Sequence, residues 1–192
     1  MRLVGKVGVI GAVAAATMLA AGCGGSSDNK ASSTTTTAAA TSTTAAAATT
    51  AASKGRECTA EDISVDGGFG TAPTIKLPAD CDPPKELITK DLVVGSGPEA
   101  KAGDKLSTNY TLITWSNQKK LDSSFDRGKP LPLTLGAGQV IKGWDQGLVG
   151  IQEGSRRLLI IPPALGYGDH PPSGMKPGET LVFVTDAVKV GN

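Results

Sequence analysis

The sequence predicts a β-rich α+β domain at the C-terminal end of the chain, an antiparallel sheet with one short helix over its concave face, preceded by a disordered tether. Three observations carry this. The two Trp, two Tyr and three Phe all lie beyond position 68, so the material for an aromatic core is C-terminal. Residues 31–53 hold only Ala, Ser and Thr, without the large periodic apolar side chains that offset ordering entropy. From residue 85 onward, short alternating runs are separated by Gly and Pro turn signals.

Composition narrows the function classes before any motif is read. Lys and Arg total 19 against 18 Asp and Glu, and no basic stretch is interleaved with aromatics, which argues against nucleic-acid binding. One His and three Cys offer no recognisable metal spacing. Neither the Gly-x-Gly-x-x-Gly nor the Walker pattern occurs, so a nucleotide enzyme is excluded as far as motifs exclude it. No cofactor and no metal are expected.

The N-terminus sets the expected compartment. Arg2 and Lys6 precede an uncharged run of apolar and small residues, 7–21, that ends in Ala20-Ala21-Gly22-Cys23. This reads as a secretory signal peptide over residues 1–22, because the run falls short of the roughly 20 residues a membrane span needs. Small residues before a Cys resemble the lipobox of bacterial lipoproteins, with Ala20 where that family usually has Leu. The resemblance implies a lipid on Cys23 and a protein anchored at the extracytoplasmic face of the cell membrane. A soluble secreted protein is the alternative. Residues 23–53 are the tether; an O-glycosylated stalk is the second reading of their Ser/Thr density.

Residues 54–84 form a short extension bounded by Cys58 and Cys81 and too small for a core of its own. With Cys23 lipidated or removed, two Cys remain in an oxidising compartment, and a Cys58–Cys81 disulfide follows. Two free buried thiols are the alternative. Thr74, Ile75, Lys76 and Leu77 add a short strand beside the main domain.

In the domain, residues 85–192, strands are expected at 87–94, 106–115, 119–125, 131–135, 156–161 and 181–190, with Leu106, Tyr110 and Leu112 on one face. One segment breaks the period. Ile141, Trp144 and Leu148 stand at i, i+3 and i+7, so 140–148 fits a short amphipathic helix. Gly143 and Gly147 weaken it intrinsically, and tertiary packing must hold it.

Four ordered motifs then become specific: Lys119 to Arg127 (Lys-Lys-Leu-Asp-Ser-Ser-Phe-Asp-Arg), Val140-Ile141-Lys142-Gly143-Trp144-Asp145-Gln146-Gly147-Leu148, Gly166-Tyr167-Gly168, and Gly178-Glu179-Thr180-Leu181-Val182-Phe183. Together they resemble the FKBP-type peptidyl-prolyl isomerases over essentially the whole of residues 85–192. The resemblance implies an antiparallel half-barrel wrapped around a short helix, with an apolar pocket between them. It implies Trp144 as the pocket floor, Tyr110, Val140, Ile141, Tyr167 and Phe183 as walls, and Leu121, Leu131 and Met175 at the rim. It further implies that the Ile141 N–H and the Tyr167 hydroxyl bond substrate carbonyls, that Asp122 lies beside the pocket, and that Asp122 pairs with Arg127 near Tyr110. Tyr110, Asp122, Ile141 and Tyr167 are thus the candidate catalytic residues.

Leu121 and Leu131 stand where the family commonly has Phe, which implies a wider pocket. Phe125 fills part of that space only if no bulge shifts its strand parity. The implied activity is prolyl isomerisation by a monomer acting on proline-containing segments of exported proteins. A binding module that kept the scaffold and lost rate enhancement is the alternative. His170, in the same loop as Tyr167, has no nucleophile or metal partner at recognisable spacing and reads as exposed and non-catalytic.

Overall fold

The structure, a computed structural model, describes residues 53–191. Cys23, the expected signal peptide and nearly all of the expected tether lie outside the described residues, and with them the expected lipidation and the alternative of glycosylation. No helix among the described residues is long and apolar enough to cross a membrane.

The chain enters through the extension, where a two-stranded antiparallel sheet pairs β1 (Ser64–Asp66) with β2 (Thr74–Lys76). The strand expected at 74–77 is present; its partner β1 was not expected, because three residues carry too little alternation to read. Cys58 and Cys81 are disulfide-bonded and fully buried, with their Cα atoms 5.2 Å apart.

The main domain contributes β3 (Ile88–Val93), β4 (Lys105–Thr114), β5 (Lys120–Ser123), β6 (Leu131–Thr134), helix α1 (Lys142–Gly147), β7 (Arg156–Ile161) and β8 (Leu181–Val190). They form an antiparallel six-stranded sheet in the order β3-β7-β8-β4-β5, with β6 also pairing β4. Every expected strand is found. β5 stops at Ser123, so Phe125 falls in the following turn and is not one of the residues lining the cleft described below. The register shifts at Leu112/Ile113 where β5 pairs β4.

Strand parity splits the sheet into two cores. Leu106, Tyr110, Leu112, Leu159, Ile161, Leu181 and Phe183 pack with Trp144 and Leu148 of the helix segment on the concave face. Ile113, Leu158, Ile160, Val182 and Val184 pack on the convex face against Ala60, Ile63 and Leu77 of the extension. Consequently β7 is buried at every position, as is β8 from Leu181 to Ala187, where a one-sided sheet would alternate. Leu158-Leu159-Ile160-Ile161 carries that signal as an unbroken apolar run.

The extension is fastened by a buried ion pair. The Arg156 Nε donates to Asp186 Oδ1 at 2.6 Å and its Nη2 to Oδ2 at 2.8 Å, with both side chains 1% exposed. The remaining guanidinium donors reach the Gly67 carbonyl at 2.7 Å and the Thr71 carbonyl at 2.6 Å, while the Gly70 N–H donates to Asp186 at 2.7 Å. The turn at 67–71 is thereby bound to the back of the sheet.

Helix α1 has six residues and no side-chain cap at Ile141. What holds it is contact. A Cβ on Gly143 would stand 2.4 Å from the Ile161 side chain, and one on Gly147 2.3 Å from Leu159, so both glycines are required for the helix to lie directly on β7. Arg157 completes the C-terminal end, donating from Nη1 to the Gly147 and Val149 carbonyls at 2.9 and 3.0 Å.

Candidate active site

Between helix and concave sheet lies a cleft of about 160 Å³, lined by Tyr110, Leu112, Asp122, Leu131, Gln139, Val140, Ile141, Trp144, Tyr167 and Phe183. Each wall has a local origin. Tyr110 and Leu112 come from β4 and Phe183 from β8, where Leu112 and Phe183 are register partners. Asp122 comes from β5 and Leu131 from the start of β6. Val140 and Ile141 come from the segment that starts α1, and Tyr167 from the loop after the short 3₁₀ turn Pro163–Leu165.

The floor is an aromatic trio. The Tyr110 and Trp144 rings meet edge to face with centroids 5.3 Å apart, and Trp144 and Phe183 do so at 5.2 Å, the geometry that ring quadrupoles favour. The Trp144 indole N–H is buried without a hydrogen-bond partner among the described residues. The Ile141 N–H and the Tyr167 hydroxyl likewise meet no acceptor among the described residues. Tyr167 is 39% exposed.

Beside the trio the polar groups are closed on one another. The Tyr110 hydroxyl donates to Asp122 Oδ2 and Arg127 Nη1 donates to Oδ1, while Arg127 Nη2 reaches the Tyr110 oxygen at 2.8 Å and the Ser123 N–H reaches Asp122 Oδ1 at 2.8 Å. The Arg127 guanidinium also stands over the Tyr110 ring, 5.5 Å from its centroid. Partial burial works to raise the Asp122 pKa, but the hydrogen bonds from Tyr110 and Arg127 and the Arg127 charge outweigh it and hold the carboxyl below the usual range. Burial, then the neighbouring Asp122 charge, pushes both tyrosine hydroxyls up.

The structure brings together eight of the ten expected pocket residues: Tyr110, Asp122, Leu131, Val140, Ile141, Trp144, Tyr167 and Phe183. Leu121 and Met175 are not among the lining residues; they are half-buried against the concave core, with the Leu121 side chain near Gly174. Leu121 is the residue left without a β4 partner where the register shifts between Asp122 and Lys120, so Asp122 opposite Leu112 takes the cleft and the leucine packs beside it. Leu112 and Gln139 line the cleft without having been expected. Leu112 was legible, two residues after Tyr110 on the same strand face; Gln139 immediately precedes the Val140-Ile141 pair. His170 is exposed. The one cluster of metal-capable groups among the described residues, Cys58, Asp62 and Cys81, has its two sulfurs joined in the disulfide and not present as thiolates.

Comparison with known proteins bears on this geometry directly. The FKBP-type peptidyl-prolyl cis-trans isomerase family matches residues 97–187. An FK506-binding protein of Streptomyces anulatus is 50% identical over 111 residues, which span 57% of this chain and 90% of the relative. The chain belongs to the FKBP-type peptidyl-prolyl cis-trans isomerases. An FK506-binding protein of Neisseria meningitidis serogroup B is 48% identical over 106 residues, 54% of this chain and 95% of the relative. Among solved structures, AtFKBP13 aligns with a TM-score of 0.50 at 38% identity, covering 54% of this chain and 91% of its own. FkpA from Escherichia coli aligns with a TM-score of 0.50 at 35% identity, covering 55% and 48%. The isomerase family match starts well after the extension, which ends at residue 84.

Proposed function

We propose that this isomerase is an exported lipoprotein, held at the extracytoplasmic face of the membrane by a lipid on Cys23, that accelerates prolyl isomerisation in other exported chains before they finish folding. The observation that carries the compartment is the buried Cys58–Cys81 disulfide, a bond that persists in oxidising surroundings and is rare in the cytosol. The signal-like run ending at Cys23 agrees with it. Uncatalysed X-Pro exchange takes tens to hundreds of seconds, slow enough to limit folding there.

The chemistry needs no nucleophile. The barrier of about 18–20 kcal/mol is amide resonance lost as the C–N bond twists, and the twisted amide is less polar than the planar one. A cleft floored by Trp144 and walled by Tyr110, Phe183 and Leu131 holds the proline ring away from water and favours the twisted form. The two open donors, the Ile141 N–H and the Tyr167 hydroxyl, take the flanking carbonyls, so that one side of the bond is fixed while the other turns. Asp122 acts by holding Tyr110 and Arg127 in place, since its oxygens are already engaged by them and by Ser123.

Mass spectrometry of the native N-terminus tests the anchor. A diacylglyceryl-modified Cys23 is expected as the first residue; a mature chain that starts elsewhere and carries no lipid mass overturns the anchored reading.

A further inference from the structure

A concavity larger than the cleft lies elsewhere among the described residues. It is an open groove of about 850 Å³ whose one wall is the extension, with Arg56 and Pro83, continued by Lys85, and whose other wall is the body of the isomerase domain, with Pro163, Ala164 and Thr180. The cleft, at about 160 Å³, is below the roughly 300–1,000 Å³ of ordinary ligand sites and has room for little more than a ring; the groove lies inside that range.

The two are connected. Val140, Ile141 and Tyr167 line both the cleft and an intermediate ledge of about 480 Å³, and Pro163 and Ala164 line both that ledge and the groove. A chain whose proline sits over Trp144 and which leaves past Tyr167 therefore meets the ledge next, and then the groove that shares Pro163 and Ala164 with it. Most charges in the groove are already engaged: Lys85 Nζ pairs with Glu57 at 3.0 Å, Arg56 pairs with Asp62 at 2.9 Å and with Asp80 at 3.2 Å, and Asp82 accepts from the Ser53 hydroxyl at 2.7 Å and the Lys54 N–H at 2.8 Å. What the walls leave for an incomer is proline and alanine surface and the stems of long side chains, which suits apolar side chains of an extended polypeptide and not a charged small molecule.

We infer that the groove is a second subsite, built by the extension, for the stretch of unfolded substrate polypeptide that flanks the isomerised proline. The inference rests on unfolded exported chains being the substrates, a reading that the mass of the N-terminus tests separately. It assigns to residues 53–85 a role in holding long substrates that the cleft cannot supply.

The test compares substrates of different length on the full mature protein. For the wild type, KM for peptides extended on one side of the proline is expected to be at least about fivefold below that for a proline tetrapeptide, about 1 kcal/mol of added binding, with kcat held. Pro83→Trp and Lys85→Trp each fill the groove from the extension side. Each is expected to erase the advantage of length, and the tetrapeptide rate shows in the same preparation whether the cleft is intact. A wild-type KM independent of length overturns the proposal, and that measurement needs no variant to fold. Variants that keep the length advantage overturn it too. Variants that turn over long peptides faster than wild type would show that residues preceding Ser53 occupy the groove instead, and would overturn it equally.

Discussion

The two faces of the six-stranded sheet are built by alternate residues of the same strands, and they end in opposite conditions. On the concave side Leu159, Ile161, Leu181 and Phe183 are buried beneath a six-residue helix, and beside that helix, over Tyr110, Trp144 and Phe183, a cleft remains. On the convex side Leu158, Ile160, Val182 and Val184, one residue out of step, are covered by the extension and are at most 1% exposed. The polar groups divide in the same way. The concave side keeps the Ile141 N–H and the Tyr167 hydroxyl open, while on the convex side the Arg156 guanidinium spends its Nε and both Nη on Asp186, Gly67 and Thr71. A face that has chemistry to perform is left underfilled; the face behind it is closed and supplies rigidity.

The comparison is broken most forcefully by one change on each side. Asp186→Ala strands a buried guanidinium and should cost about 3–5 kcal/mol, read as a lower denaturation midpoint with the tetrapeptide rate of the folded fraction unchanged. Trp144→Ala should cost a similar amount, about 3–5 kcal/mol, but should also abolish turnover in protein shown by circular dichroism to be folded. If Asp186→Ala slows turnover per folded molecule as much as Trp144→Ala does, the two faces are not independent.

Removing the disulfide is the next step down. Cys58→Ser with Cys81→Ser releases a closure of 23 positions and should cost about 3 kcal/mol. Urea unfolding would show that loss, and a tetrapeptide assay under native conditions should show almost none. Since Ala60, Ile63 and Leu77 share a core with the sheet, the loss is expected in the single transition of the whole compact unit. A separate early transition for residues 54–84 would mean that the extension is held more loosely than this core implies.

Tyr167→Phe removes one carbonyl-orienting hydroxyl. A net loss of about 0.5–1.5 kcal/mol corresponds to a drop in kcat/KM of roughly two- to twelvefold, with the melting temperature unchanged because that hydroxyl bonds nothing within the described protein. A rate equal to wild type would remove Tyr167 from the mechanism.

The smallest effect expected is that of pH. The Asp122 carboxyl is depressed, so its contribution is complete above its unfolded value near 3.9 and is lost only as pH falls through the lower folded value. The Tyr110 and Tyr167 hydroxyls are raised, so their contribution is complete below about 10 and is lost as pH climbs through the higher folded values. Turnover should therefore be flat between roughly pH 5 and 9. A bell centred near neutrality would demand a titrating group that the cleft does not contain.

How much of this was legible depended on whether a feature is periodic. Alternation placed all six strands of the main sheet, and the i, i+3, i+7 spacing of Ile141, Trp144 and Leu148 placed the helix. The parity of Leu106, Tyr110 and Leu112 held, because the register shift between β4 and β8 places its extra residue on β8 and leaves the alternation of β4 unbroken from Leu106 to Leu112. The motifs placed eight pocket residues through resemblance to the isomerase family. What failed is what no local pattern encodes. Whether Leu121 or Asp122 faces the cleft is settled by how β5 pairs with β4. That the extension lies on the convex face is settled by contacts between residues 89 to 116 positions apart, such as Gly67 with Arg156 and Gly70 with Asp186. The double-sided burial of β7 was written in its unbroken apolar run, but the run does not say what covers it.

Helix α1 lies on β7 only because two of its six residues are glycines, and those same glycines leave it without stability of its own: an isolated helix needs on the order of 12–15 good helix formers to persist in water. It exists where Ile161 and Leu159 hold it and nowhere else. The cleft is consequently an emergent property of the finished sheet. In a newly synthesised chain of this enzyme, Ile141 and Trp144 are therefore held in position only once β7 has found its neighbours.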